Sequence, residues 1–422
     1  MAGSPIGLRR PHACYIARPK SRGSREGDCT LRVTVHTSLD SLPDGARRLC
    51  NSMARERWFD SLDWFQCLHV AALSDSVLPR IYEVSDDTGA TIACLFCCTR
   101  DERGRELASL SNYYTMEFGP VVRPGADTSA VCTALASCIG AERPRWNSLR
   151  LDYLKESNAA AATFVDSLRQ AGFEVMRHHQ YENWYLDCLG TTFEEYFAAR
   201  PSRLRNTVER KGRKLYKSHQ VEHVLYRHPF DNIERGVSDY VAVYNSSWKQ
   251  PEPHPDFMPE LARRLAAHDC LRLGVLYVDG KPVAAQFWIT TTDEACIYKL
   301  AYDEGYAEMS VGAVLSREMF RQALDVDRVA RIDYGVGSEA YKREWMSGMQ
   351  EIYGVRAYSR RSIGGITRIV AARLKAGAKR LLTQRDCSEP TRRTGWRATS
   401  VPTSPYARSG CRESGTLCAV RP

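Results

Sequence analysis

One order of secondary-structure signals occurs twice along this chain, and it constrains the fold more than any other feature. Residues 31–188 open with an alternating strand, "LRVTV" (31–35), followed by helical material in "LDSLPDGARRLCNSM" and "DWFQCLHVAAL". Three strand candidates come next (79–85, 91–99 and 105–111). A helix then follows over 127–140, for which Asp127 is the expected cap and Gly140 the expected stop. "SLRLDYL", the helix "AAAATFVDSLRQAGF" and "YENWYLDC" close the half. Residues 221–384 repeat the order, with a strand at 221–227, helices over 230–247 and 256–268, and strands at 271–290 turning on Asp279-Gly280. A further strand (295–303), a helix from about Ser310 to Leu324, a strand (328–335), a short helix at "YKREWM", a strand (353–359) and an amphipathic helix (366–382) complete it. Each half reads β-α-α-β-β-β-α-β-α-β without residue-level identity between the two. Such an order, rich in hairpins, specifies an α/β (α+β) chain of two similar domains.

The expected organisation is a disordered tail over 1–30, a first domain over 31–190, a basic helical connector over 191–220, a second domain over 221–384 and a disordered basic tail over 385–422. The charge distribution supports this division. The formal charge is +9, yet each tail carries +4 and the remainder is nearly neutral, so the excess says little about the central function. The N-terminal stretch lacks the apolar core of a secretory signal, and no run approaches a membrane span, so a soluble cytoplasmic protein is expected. The chain has fifteen cysteines. Three of them, Cys94, Cys97 and Cys98, fall in the strand-like "TIACLFCC", and no second Cys/His pair stands at finger spacing. Reduced core thiols are expected, and no metal.

"RIDYGVGSEAYKREW" (331–345) contains Gly335-Val336-Gly337-Ser338-Glu339-Ala340, which satisfies the G-x-G-x-x-A pattern of a dinucleotide turn. That turn belongs after the first strand of a βαβ unit, with an acidic residue about 20 positions on. Here it follows the fifth strand of its half, and "YGVRAYSR" offers no carboxylate, so the glycines are read as a sharp backbone turn. Upstream, "AYDEGYAEMSVGAVLSREMF" takes a strand into a loop that opens a helix at Ser310-Val311-Gly312-Ala313. Ser310 is the expected N-cap, and Gly312 would let a ligand approach orphan N–H groups suited to a pyrophosphate. An ordinary capped helix would carry the same residues.

Five stretches in order, "RPSRLRNTVERKGRKL", the Trp of "NSSWKQP", "LGVLYVDGKPVAAQFWI", "IYKLAYDEGYAEMSVGAVL" and "IDYGVGSEAYKREW", together resemble the GNAT acetyltransferase superfamily, and within it the CelD/BcsL-type branch named for cellulose-biosynthesis loci. The resemblance implies tandem GNAT-like domains, each a mixed, largely antiparallel sheet flanked by helices, the first of them degenerate. It further implies an acyl-CoA co-substrate held by Ser310, Val311, Gly312 and Ala313, with the pantetheine on Lys299, Leu300 and Ala301. The usual Arg/Gln-x-x-Gly-x-Gly/Ala signature is reduced to Gly312-Ala313. On this reading Asp333 is the candidate base, Tyr341 the candidate acid, and Lys342 a charge stabiliser. Arg203, Trp248, Gln286, Asp303, Tyr306 and Trp345 are candidates for shaping the acceptor pocket. The expected activity is transfer of an acyl group, acetyl foremost, to an amine or hydroxyl of a sugar or polysaccharide precursor.

Two alternatives stay open: a Fem-type transferase using aminoacyl-tRNA, and a non-catalytic scaffold with the same doubled fold. No heptad arm of the Fem type appears, so tRNA is not expected, and neither is DNA. Arg368, Arg373, Lys375, Lys379 and Arg380 on the closing helix suit weak contact with an anionic membrane surface.

Overall fold

The computed structural model describes residues 12–16, 30–99, 105–337 and 339–386. The first half runs β1 (His12–Ile16), β2 (Leu31–His36), α1 (Asp44–Ser52), α2 (Leu62–Ala72), β3 (Leu78–Ser85), β4 (Thr91–Thr99), β5 (Glu106–Ser109), the two-residue β6 (Val121–Val122), α3 (Thr128–Ala141), β7 (Ser148–Lys155), α4 (Ala159–Gln170) and β8 (Phe173–Asp187). Helices α5 (Phe193–Ala198) and α6 (Ser202–Ser218) connect the halves. The second half runs β9 (Val221–Tyr226), α7 (Ile233–Asn245), α8 (Phe257–Ala267), β10 (Leu271–Val278), β11 (Lys281–Thr290), β12 (Glu294–Tyr302), α9 (Val311–Arg321), β13 (Arg331–Val336), α10 (Ala340–Trp345), β14 (Gly348–Ser359) and α11 (Ile363–Asp386). The expected order is present in both halves. Contact density divides the chain after Ala371. The first unit holds every strand, α1 to α10 and the start of α11, and the second holds the rest of α11.

One mixed sheet of fourteen strands runs through both halves in the order β1-β2-β3-β4-β5-β7-β14-β8-β13-β12-β11-β10-β9, with β6 paired beside β4. The halves exchange their last strands. β14, from the second half, pairs with β7, whereas β8, from the first, pairs with β13, and β8 and β14 lie side by side over twelve residue pairs. The sites on either half therefore depend on both. The tail expected over 1–30 contributes β1, antiparallel to β2; residues 1–11 and 17–29 lie outside those described, as does the tail beyond Asp386.

Local chemistry accounts for most boundaries. Asp127 Oδ1 accepts from the Ala130 N–H at 3.0 Å and caps α3. Gly140 does not end that helix but lies within it, where a Cβ would stand 3.1 Å from the Ala171 carbonyl oxygen and block the approach of α4. The hairpin between β10 and β11 turns on Asp279 and Gly280, both at positive φ (51° and 80°), the two-residue turn that the Asp-Gly pair favours.

Apolar packing follows the exchange. The core beneath β2–β5 and β7 takes in Tyr353, Val355 and Ala357 of β14, and the core around α6 and α9 takes in Leu186 of β8. A third cluster joins α1 and α2 to α7 and α8, where Trp64 meets Phe257 edge-on at 6.0 Å. Ten cysteines, among them Cys94, Cys97 and Cys98 on β4, are free and buried, and among the described residues no group of three or more His, Cys, Asp or Glu could hold a metal ion. No helix among them is long and apolar enough to cross a membrane.

Candidate active site

The site begins where two central strands part. β12 and β13 run parallel but pair only over Glu294–Cys296 and Arg331–Asp333. Beyond that, β12 carries a bulge at Tyr298, since Phe287 faces Lys299 while Trp288 faces Ile297. β13 shifts register against β8 between Asp333 and Val336. Gly335 sits in this shift at φ +65°, with the position of its missing Cβ 3.3 Å from the Ile297 carbonyl oxygen. Gly337, at φ +118°, donates its N–H to Glu182 O at 2.9 Å. The glycines that imitate a dinucleotide fingerprint thus bend β13 away from β12.

A cavity of about 440 Å³ opens at the parting. Leu300, Ala301 and Tyr302 of β12 form one side, Ser310 to Ala313 and Ser316 of α9 another, and Tyr334, Tyr341 and Trp345 the end. Arg203, Leu204 and Thr207 of α6, Trp248 and Gln286 complete it. Eleven of the residues singled out from the sequence therefore line one cavity. The N–H groups of Val311 and Gly312 are the first of α9 and have no acceptor within the helix, and they lie at its positive dipole end. Ser310 does not cap them with its side chain. It adopts a left-handed conformation (φ 57°) that ends the preceding 3-10 turn, Glu304–Met309, and it makes no side-chain cap bond. Gly312 lets the Tyr302 ring pack against the helix, because a Cβ there would stand 3.1 Å from the ring. Trp248 rests on Tyr302 at 4.6 Å and is half exposed.

Gln286 lines the cavity and also braces its wall. It is buried, donates to Gly312 O at 3.2 Å and Ser316 Oγ at 2.7 Å, and accepts from Trp288 Nε1 at 2.9 Å. Both amide donors and one carbonyl lone pair are engaged in pinning the first turn of α9 to β11. Trp345 is held likewise, stacked on Phe320 at 5.0 Å, with its carbonyl accepting from Tyr196 Oη at 2.9 Å. Asp303 and Tyr306 lie outside the cavity. Asp303 caps the 3-10 turn through Gly305 N–H (2.9 Å) and pairs with Lys281 (2.7 Å), and the Lys281 ammonium stands 5.2 Å from the Tyr306 ring.

Asp333 is the principal correction. It is 1 % exposed and does not reach the cavity. Oδ2 accepts from Lys155 Nζ at 2.8 Å, and Oδ1 from Asn183 Nδ2 at 2.6 Å and Gly335 N–H at 2.7 Å. Burial works to raise its pKa, but the Lys155 ammonium and these donors hold it below the usual carboxylate range. Burial likewise opposes the charge on Lys155, yet Asp333, Glu294 and Glu117 keep its pKa well above the ordinary value. A carboxylate so fully satisfied is a poor base. Its work is structural: it ties β13 to β7 and, through Asn183, to β8.

A second, smaller cavity of about 190 Å³ meets the first at Leu300, Tyr334 and Tyr341. Its walls include Lys299, Lys342, Glu339, Lys249 and, from the first half, Tyr113 and Met116. Lys299 therefore faces this cavity with its side chain, donating to Glu252 at 2.8 Å. Lys342 is buried, donating to Val336 O at 2.6 Å and pairing with Glu339 at 2.9 Å. Tyr341, on the shared wall, is 42 % exposed, and burial followed by Glu339 pushes its phenol further above its ordinary pKa. Lys249, Glu252 and Tyr113 escaped sequence reasoning. "NYY" stands some 135 residues before "KQPEP", and only the packing of the halves brings them together.

The chain has a tandem GNAT-like fold, two similar halves sharing one exchanged sheet, with a cleft in the second half where its fourth and fifth strands, β12 and β13, part. Residues 202–343 match the family model described as an acetyltransferase (GNAT) domain. No curated protein matches the chain. Among solved structures, FemX shares the fold at 10 % identity and a TM-score of 0.53, covering 77 % of this chain and 96 % of FemX. A conserved protein of unknown function from Bacteroides thetaiotaomicron is similar at 13 % identity, over 74 % and 92 % of the two chains, with a TM-score of 0.47. A tandem GNAT protein from the clavulanic acid biosynthesis pathway is similar at 10 % identity, over 69 % and 93 %, with a TM-score of 0.39.

Proposed function

We propose that the chain is an acyl-CoA-dependent acyltransferase, acetyl foremost, acting on an amine or hydroxyl of a sugar or polysaccharide-related acceptor. The supporting observation is the free α9 N-terminus, with Gly312 in its first turn, opening into the cavity where β12 parts from β13. The N–H groups of Val311 and Gly312 would hold the pyrophosphate, and the freed backbone edge of Lys299 to Ala301 would align the pantetheine. Acyl-CoA supplies the activated thioester. The acceptor enters from the Lys249 side, its nitrogen or oxygen bonds to the acyl carbon as the carbon–sulfur bond breaks, and the Tyr341 hydroxyl gives its proton to the departing sulfur and is restored by the proton that the acceptor nitrogen or oxygen sheds. A phenol whose pKa is raised by burial remains protonated at neutral pH and is available as that acid.

Replacing Tyr341 by Phe is expected to lower kcat by roughly 100-fold or more with little change in KM. Steady-state assays of acylated product by mass spectrometry would check this, and an unchanged kcat removes Tyr341 from the chemistry.

A second reading, transfer from aminoacyl-tRNA, has one observation in its favour. Arg203 lies at the first cavity, and Arg210, Arg213, Lys214 and Lys217 are exposed along the same helix α6. Calorimetric titration with acetyl-CoA, longer acyl-CoAs and aminoacyl-tRNA separates these readings. Saturable binding of a CoA thioester supports the first, preference for aminoacyl-tRNA the second, and binding of neither leaves a scaffold.

A further inference from the structure

In the second cavity almost every charge is answered. Lys299 pairs with Glu252 at 2.8 Å, and Lys342 with Glu339 at 2.9 Å. Glu252 also accepts from Tyr114 Oη at 2.8 Å and from Tyr113 Oη, so its charge is already answered by one cation and two hydroxyls. Lys249 differs. Its ammonium has no acceptor or ion-pair partner among the described residues, and it lies 5.7 Å from the Tyr244 ring and 5.8 Å from that of Trp248. It lines both the second cavity and a shallower groove of about 440 Å³ that continues past Tyr113, Trp248 and Pro251.

We propose that Lys249 is an anion-recognition residue, and that the acceptor carries a carboxylate or phosphate which pairs with it while its nucleophile points toward Tyr341. The substrate class is thus an acidic acceptor, such as a phosphorylated or carboxylated amino sugar. This rests on the acyltransferase reading for the identity of the acceptor, though not for the anion site itself. The chemistry favours an anion over a cation because the single uncompensated charge is positive, and a half-buried ammonium without a partner lacks the pairing that would offset its desolvation.

The ionisation of Lys249 supports the same assignment. Burial, and then the neighbouring Lys299, lower its pKa to about 8, with Lys342 acting in the same direction and Glu252 and Glu339 opposing. Tyr113, Tyr244 and Trp248 face it as neutral groups. Anion binding should therefore hold below pH 8 and weaken about tenfold per pH unit above it, as the ammonium is lost.

Inorganic phosphate and acetate are the probes, titrated calorimetrically into the full chain with coenzyme A present to occupy the α9 cleft. Saturable binding of either that weakens roughly 10- to 100-fold in Lys249→Met and is retained in Lys249→Arg supports the assignment. Whichever probe binds more tightly identifies phosphate or carboxylate. No saturable binding of either, or equal binding in Lys249→Met, overturns it. Melting temperatures of both variants show that each is folded. The coenzyme A titration of the same samples is independent: its failure with intact phosphate binding would sink the acyltransferase reading and leave the anion site standing.

Discussion

Gly312→Trp is expected to abolish binding of acetyl-CoA, weakening it by at least about 100-fold, while the protein stays folded. At this position a Cβ already stands 3.1 Å from the Tyr302 ring. An indole cannot pack against that ring and must turn into the cavity, over the first-turn N–H groups that the proposal assigns to the phosphates. Loss of two charge-assisted hydrogen bonds at roughly 1.5–3 kcal/mol each, together with steric exclusion, sets the size of the effect. Calorimetry and thermal melting on the same sample check it. Undiminished affinity would show that the thioester lies elsewhere.

The second large effect concerns stability. Lys155→Met should destabilise the chain by about 3–5 kcal/mol, because it leaves Asp333 buried with its cation removed and takes the same ammonium from Glu117 (3.4 Å) and Glu294 (3.6 Å). The sign is specific to removing one partner. The double variant Lys155→Met/Asp333→Leu should recover part of the loss, since the most deeply buried of the three carboxylates is then gone and only Glu117 and Glu294 still face Met. Denaturant unfolding of the single and double variants measures both. Because Lys155 ends β7 and Asp333 lies on β13, the transition should also involve both halves together. If the single variant costs no stability, the buried pair is not the tie described.

How much of this was legible in the sequence depends on the range of the interaction. Periodicity and turn chemistry revealed the doubled element order and the Asp279-Gly280 hairpin, because strands, helices and a two-residue turn are fixed by neighbours a few positions away. The first-cavity residues from Leu300 to Ala313 were also visible, as a strand, loop and helix start contiguous in the chain. The exchange of β8 and β14 was not, since nothing local distinguishes a strand that completes its own half from one that completes the other. The misassignment of Asp333 follows from that. On a strand end it reads as an exposed carboxylate, but Lys155 and Asn183, 178 and 150 positions away, enclose it. The bonds of Gln286 to Gly312 and Ser316 were hidden for the same reason, its partners standing 26 and 30 positions away on α9. Of the second cavity the sequence showed only the Lys299, Leu300, Tyr341 and Lys342 side, because Tyr113 and Lys249 meet only once the halves have packed.

The most direct measurement of the central claim is a crystal structure of the chain with acetyl-CoA. The account predicts pyrophosphate oxygens within hydrogen-bonding distance of the Val311 and Gly312 N–H groups, the pantetheine along Lys299 to Ala301, and the thioester beside Tyr341, where the two cavities meet. Coenzyme A bound away from α9, or a cleft between β12 and β13 that stays empty at saturating acetyl-CoA, would contradict it.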